Sequence, residues 1–326
     1  DAVRHVGVGG VGDSGRAQCP DMVLVLLDLR LSPFAAKHKQ GLVVHIGIPE
    51  AVHLHAVARE EFAPACVVLI SFNMQATFAT RQERNVDIIA IQDWLSGIAG
   101  LNLARNRPAP IVFHIHSAEW GRQPHDGGSP AVRAFEGGMA WEADAVITVS
   151  HAMRDDLLAH GWDASKVHTV WNGVDSRRYR PAAVSAEEVA RLRQRYGIPA
   201  KAPVALFVGR MVPEKGAVAL VEAMAEVRQH VPDAHLVVLG VGQTEADARE
   251  RVVRFGLEDR VHLRGELVPE TERIAHFAMC DVGVFPSTYE PFGIVTLEAM
   301  AMGKACVAGA RGIVGFREQV VAHGPA

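Results

Sequence analysis

Residues 287–303 read Ser287-Thr288-Tyr289-Glu290-Pro291-Phe292-Gly293-Ile294-Val295-Thr296-Leu297-Glu298-Ala299-Met300-Ala301-Met302-Gly303, and they follow directly on the apolar run 282–285. An apolar run, a turn, then an apolar segment of helical length make a strand–turn–helix unit. Pro291 suits the turn before a helix, Gly293 allows close backbone approach and Gly303 ends the helix, so residues 292–302 are expected to be helical. The free amides of residues 293–295 then point outward beyond the strand end. Such a helix N-terminus carries about half a positive charge and receives phosphate readily.

Outward from this unit the same alternation recurs in both directions. Strands are expected at 43–47, 86–91, 110–116, 145–150 and 167–171, and again at 204–208, 235–239, 261–263, 282–285 and 305–307. Helical stretches separate them, among them 186–196, 216–231 and 244–255. This is the pattern of parallel sheets covered by helices on both faces, an α/β fold. A chain of 326 residues exceeds what one core usually supports. The turn Asn172-Gly173-Val174-Asp175, followed by Arg177, Arg178, Tyr179, Arg180 and Pro181, marks the junction, giving domains 1–178 and 179–326. Ligands in such sheets bind beyond the carboxyl ends of the strands, in the cleft that two domains create.

Thirty-three Lys and Arg against 37 Asp and Glu give a net charge of −4, with no long run of one sign, so nucleic acid and anionic membrane are poor partners. No apolar run approaches the roughly 20 residues that span a bilayer. Cys19, Cys66, Cys280 and Cys306 lie far apart without a C-x-x-C, which fits a reducing cytoplasm. The opening Asp1-Ala2-Val3-Arg4-His5 lacks the basic-then-apolar plan of a signal peptide.

Three clusters carry chemistry. In the first, Glu298 is the one ionisable side chain within 292–302. It faces solvent or caps a backbone group, or it accepts hydrogen bonds from a ligand's hydroxyl pair while Glu290 meets that ligand from the other side. The second is Phe207-Val208-Gly209-Arg210-Met211-Val212-Pro213-Glu214-Lys215-Gly216, where two cations in a strand-to-helix loop can clamp a diphosphate. Its plain alternative is that Arg210 pairs with Glu214 or lies in water. The third is Phe113-His114-Ile115-His116-Ser117-Ala118-Glu119-Trp120-Gly121-Arg122. Strand alternation sets His114 and His116 on one face, with His116 nearest the strand end and free to hydrogen-bond a substrate, and His114 buried. Glu119 or the pair His53 and His55 would have to complete a metal site, and no Asp- or Cys-rich set accompanies them, so no metal is expected. Gly7-Val8-Gly9-Gly10-Val11-Gly12 satisfies G-x-G-x-x-G, but six residues precede it and Pro20 follows, so the strand–turn–helix context of a dinucleotide site is missing.

Together these segments resemble the retaining glycosyltransferases of family four, and within them the glycogen-synthase-like members. Glu290-x7-Glu298 is similar to the family's Glu-x7-Glu motif, Gly209-Arg210 with Lys215-Gly216 to its phosphate-clamping loop, and residues 113–122 and 87–94 to its acceptor-side strands. The resemblance runs from about residue 41 to the C-terminus and implies a GT-B fold, two Rossmann-like doubly wound domains facing a cleft. It implies that Arg210 and Lys215 hold the donor's diphosphate, that Glu298 binds the ribose, and that Glu290 with the backbone of Phe292, Gly293, Ile294 and Val295 holds the sugar. His116 would reach the sugar and Asp93 would line the acceptor side. The implied reaction is metal-independent transfer of a hexose, glucose first, from a UDP- or ADP-activated donor to an α-glucan or other carbohydrate, without a cofactor.

The sequence also departs from the family pattern. The usual His-x-His-Asp appears as Ala90-Ile91-Gln92-Asp93. The family's glycine loop corresponds to residues 9–13, with Gly10 as its donor-side contact, and residues 14–40 do not supply the long helix that should follow. The chain stops at Ala326, after a segment like the family's Gly-x-x-Glu loop. These departures lead to the expectation of a fold incomplete at both termini. They keep two rivals open, a sugar-nucleotide-binding protein without turnover and a nicotinamide-dependent oxidoreductase built on residues 7–12.

Overall fold

The computed structural model describes residues 25–26, 43–46, 62–80, 86–106, 109–122, 127–310 and 312–320. The glycine-rich stretch 7–12 with Gly10, Cys19, and the pair His53 and His55 lie outside the described residues. The described residues fall into two compact units, one within 1–149 and 154–170, the other within 150–153 and 171–326.

The first unit carries β1 (Val25–Leu26), β2 (Val43–Ile46), α1 (Phe62–Thr80), β3 (Ile88–Gln92), α2 (Gly97–Asn106), β4 (Ile111–Ile115), α3 (Glu119–Arg122), α4 (Pro130–Glu142) and β5 (Ala145–Thr148). After α5 (His151–Ala159), β6 (Val167–Thr169) completes a six-stranded parallel sheet whose order follows the chain, β1 to β6. Central strands of a parallel sheet are apolar because both of their faces are covered. Accordingly Ile89, Ala90 and Ile91 of β3 are buried, as are Ile111, Phe113 and Ile115 of β4. The sheet brings Ile91 level with Phe113, and Phe113 level with Val146. α4 starts where the chain signals it, with Ser129 accepting the Val132 amide at 3.4 Å and Pro130 in the first turn.

The second unit runs α6 (Ala186–Arg195), β7 (Val204–Val208), α7 (Ala217–His230), β8 (His235–Leu239), α8 (Glu245–Arg254), β9 (Val261–Arg264), α9 (Glu270–Met279) and β10 (Val282–Phe285). β11 (Tyr289–Glu290), α10 (Ile294–Ala301), β12 (Ala305–Ala308) and β13 (Ile313–Val314) follow. Five strands make a parallel sheet in the order β12-β10-β7-β8-β9, and β11 pairs with β13 apart from it. Successive side chains of a strand point to opposite faces. Val204, Leu206, Val237 and Leu239 therefore pack in one cluster with Ile274 and Phe277 of α9 and Ala299 of α10. Phe207, Leu236 and Val238 pack in another with Leu220, Val221 and Met224 of α7 and Ala248 and Val252 of α8. Each large side chain so buried contributes about 1.5–3 kcal/mol. α6 opens on a capping box, Ser185 accepting from Glu188 N and the Glu188 carboxylate from Ser185 N.

The order of this sheet reverses at β7. β8 and β9 are laid down on one side of it, β10 and β12 on the other. Loops leaving the carboxyl ends of β7 and β10 diverge there and open a crevice. Within the same unit Glu318, in the 3-10 turn Gly315–Glu318, accepts the amides of His151 and Ala152 at 3.0 and 2.7 Å and the Trp171 indole at 2.9 Å.

Candidate active site

The crevice between the ends of β7 and β10 holds a cavity of about 170 Å³, lined by Gly209, Lys215, Ser287, Glu290 and residues 293–295 among others. α10 enters it N-terminus first. Gly293, its N-cap, has φ 89°, and a Cβ built there would stand 1.9 Å from Cε1 of Phe316, so glycine alone fits. The Gly293 carbonyl accepts both the amide and the hydroxyl of Thr296, at 3.2 and 2.7 Å, which starts the helix and turns the first amides toward the cavity. Phe292 is buried behind them, its carbonyl accepting Gln319 Nε2 at 2.7 Å. The expected helix at 292–302 is thus observed from Ile294 to Ala301.

One cation, Lys215, lines the cavity beside the helix start, and Arg210 is not among the lining residues. Lys215 sits in the 3-10 turn Pro213–Lys215, and Gly216 beyond it has φ 74° against the Pro286 backbone. Lys215 Nζ donates to Glu290 Oε2 at 2.6 Å, with 15% and 14% of the two side chains exposed. The Ser287 hydroxyl donates to the same oxygen at 3.2 Å. Arg210 lies 3.7 Å from buried Glu214 and is 52% exposed, a loose pair that solvent screens. Pairing of Arg210 with Glu214, the plain alternative, is the arrangement observed. Glu290 is fixed by its strand, level with Val314 in the β11–β13 pair.

Glu298 is buried one helical turn further in and is not among the residues lining the cavity. Arg273 Nη2 donates to its Oε1 at 3.1 Å and to the Tyr179 hydroxyl at 2.6 Å. Burial pushes the Glu298 carboxyl above the usual range, against the pull of Arg273. Burial likewise raises the Tyr179 phenol.

In the first unit Asp93 and His116 meet at the ends of β3 and β4. Asp93 Oδ1 accepts the His116 amide at 2.9 Å, and the Asp93 amide donates to His114 O at 2.8 Å. Asp93 has φ 52°, and among the described residues it is the one non-glycine with positive φ. Backbone strain of this kind costs about 1–3 kcal/mol and persists where its surroundings enforce it. His116 is exposed, and its Nε2 lies 2.8 Å from Gln92 Oε1, an acceptor that requires the proton on Nε2. Gln92, noted in the sequence only as a departure from a histidine pattern, is therefore the residue that orients His116. Below this loop Arg122 donates to Glu119 at 2.9 Å, to fully buried Glu136 at 2.7 Å and to the Ser117 carbonyl. Burial raises the Glu136 carboxyl while Arg122 lowers it.

Ser287, Arg273, Tyr179 and Gln92 are site residues that the sequence reading missed. Tyr179, the one aromatic in a basic stretch, and Gln92, standing where the resemblance leads one to expect histidine, carried a signal. A larger cavity of about 410 Å³ lies in the first unit around Ile111 at the start of β4, opposite the carboxyl strand ends where ligands of such sheets bind. Among the described residues no three of His, Cys, Asp and Glu gather as a metal set.

The family described as Glycosyl transferases group 1 matches residues 188–324, and Glycosyltransferase Family 4 matches residues 32–178. The chain belongs to the family-four, group-1 glycosyltransferases. D-inositol 3-phosphate glycosyltransferase of Kineococcus radiotolerans is 34% identical over 261 residues, 76% of this chain and 58% of that protein. Glycogen synthase of Mycobacterium tuberculosis is 32% identical over 227 residues, 68% of this chain and 51% of that protein. The chain thus spans between half and three-fifths of the length of these curated relatives. The HepE protein of Anabaena in complex with UDP-glucose superposes with a TM-score of 0.66 at 22% identity, over 86% of this chain and 75% of that one. That likeness shows the fold, the α/β GT-B architecture of glycosyltransferases. No helix among the described residues is long and apolar enough to cross a membrane.

Proposed function

We propose that this family-four chain is a retaining, metal-independent hexosyltransferase that takes glucose from UDP- or ADP-glucose. The observation that carries the reading is the convergence, within one unit, of Lys215, Glu290 and the α10 N-terminus on one cavity at the strand-order reversal. Cations and helix amides favour a diphosphate, and a carboxylate favours the hydroxyls of a sugar. Arg210, exposed and loosely paired, is available to grip phosphate oxygens bidentately. Glu298, oriented by Arg273, keeps acceptor capacity for ribose hydroxyls, since a carboxylate has about four lone-pair sites. HepE, in its complex with UDP-glucose, supports the donor class, and glycogen synthase among the relatives supports an α-glucan acceptor.

In the proposed reaction the bond from the sugar's anomeric carbon to the diphosphate oxygen breaks, its electrons leaving with the diphosphate. An acceptor hydroxyl oxygen bonds to that carbon and its proton passes to the departing phosphate. Positive charge on Lys215, on the amides of residues 293–295 and on Arg210 once it grips the phosphate lowers the barrier by stabilising the charge that develops on the leaving group. His116, held by Gln92 and Asp93, is proposed to hydrogen-bond the sugar, and Asp93 to shape the acceptor side through the His116 backbone. The test is binding and turnover with UDP-, ADP- and GDP-hexoses, with and without glycogen, beside Glu290→Ala and Arg210→Ala. Turnover that both substitutions abolish, with the product's anomeric configuration retained by NMR, is the expected result. Tight nucleotide binding without turnover would replace the enzyme by a binding protein.

A further inference from the structure

We propose that the Lys215–Glu290 ion pair is a latch by which the site prefers a sugar nucleotide over the bare nucleoside diphosphate and expels the latter after transfer; this rests on the reading of the cavity as a nucleotide-hexose site. The pair spans the same cavity that the α10 N-terminus opens into, at 2.6 Å and with about 15% of each side chain exposed. At that exposure water screens the two charges little. An incoming diphosphate uses Lys215 only by drawing it away from Glu290. Glu290 then keeps one described donor, the Ser287 hydroxyl at 3.2 Å. A carboxylate left so short of partners, next to further negative charge, is costly.

A hexose removes that cost, because its neighbouring hydroxyls donate to the carboxylate that Lys215 has left. A nucleoside diphosphate has no donor at that end. The site is therefore satisfied in two states, empty with the pair closed, or filled by diphosphate and sugar together. Once the hexose has gone to the acceptor, Glu290 reclaims Lys215 and the diphosphate loses its buried cation. Arg210 takes no part in the latch, since its contact with Glu214 is 3.7 Å long and half in water, and it parts at little cost.

The test is titration calorimetry on the full chain with UDP, ADP and GDP and with their glucose derivatives, for wild type and Glu290→Gln. Glutamine keeps the shape and the Ser287 contact but offers Lys215 no charge. Wild type is expected to bind the matching sugar nucleotide about tenfold more tightly than its bare diphosphate. Glu290→Gln is expected to bind the bare diphosphate about tenfold more tightly than wild type does, and to lose the preference. Unchanged or weaker diphosphate binding by Glu290→Gln, or a wild type that prefers the bare diphosphate, overturns the latch. If a thermal melt shows that Glu290→Gln does not fold, the wild-type preference together with Glu290→Asp, whose shorter side chain opens the pair, decides in the same directions. Binding of no nucleotide by any form overturns the donor-site reading and the latch with it, whereas binding without the exchange of affinities overturns the latch alone.

Discussion

At the scale of single residues, Gly293 and Glu298 show opposite ways in which a sequence motif is held. Gly293 is fixed by space and backbone together, φ 89° with Phe316 against the missing Cβ. Gly293→Ala must move Phe316 out of a cluster where it is 1% exposed, and carries the cost of a positive φ. We expect it to lower stability by about 2–4 kcal/mol and to abolish nucleotide binding, read from a denaturant titration and from calorimetry. A variant of wild-type stability would mean that the first turn of α10 can be rebuilt. Glu298 is fixed by partners. Glu298→Gln leaves the Arg273 guanidinium without its near carboxylate, and we expect a loss of about 1–2 kcal/mol in the absence of any ligand. An unchanged unfolding midpoint would show that the Arg273 contact adds nothing and that the carboxylate serves ligand alone. The sequence marked Glu298 as costly to bury, but not its partners, because Arg273 and Tyr179 are 25 and 94 residues away from their contacts in the chain.

At the scale of elements, the start of the second sheet carries a histidine pair. His235 of β8 and His262 of β9 stack 5.3 Å apart with Nδ1 and Nε2 3.1 Å from each other, and Tyr196 covers His262 at 5.2 Å. Burial, then the neighbouring His235, pushes His262 down to about 4, and burial lowers His235 too. The folded form thus binds fewer protons than the unfolded chain between the ordinary histidine value near 6.5 and about 4. Stability is therefore complete above that window and falls as pH drops through it. For His262 the full shift corresponds to about 3 kcal/mol, which partial exposure to water reduces to about 2 kcal/mol. Unfolding midpoints measured from pH 7 to 4 should fall steeply, and less steeply in His262→Gln; equal slopes would remove the pair from the explanation. Elements such as β8 were legible because the four apolar residues Leu236 to Leu239 in a row admit few alternatives. β11 and β13 were not, because two-residue pieces have no period, and yet their pairing holds Glu290 in register. The role of Gln92 was equally hidden, since its value lies in reaching His116 across neighbouring strands.

For the whole molecule, the division of labour follows from where each sheet puts its exceptional backbone. In the second unit the strand order reverses at β7, and the cavity, Lys215, Glu290 and α10 all gather at that reversal. In the first unit the described strands run in chain order, and the exceptional feature is Asp93 at the end of β3. Everything proposed to grip the diphosphate therefore belongs to one unit, and this has a measurable consequence. In hydrogen exchange, amides slow where a ligand accepts from them or stiffens their loop. Addition of the nucleotide that binds should slow exchange most within 209–216 and 287–296, the two loops that leave β7 and β10. The amides of residues 294 and 295, proposed to receive the diphosphate, should respond to inorganic pyrophosphate as well. Stronger slowing around β3 and β4 than around these loops would move the diphosphate to the first unit, and the conclusions drawn for Lys215 and Glu290 would move with it.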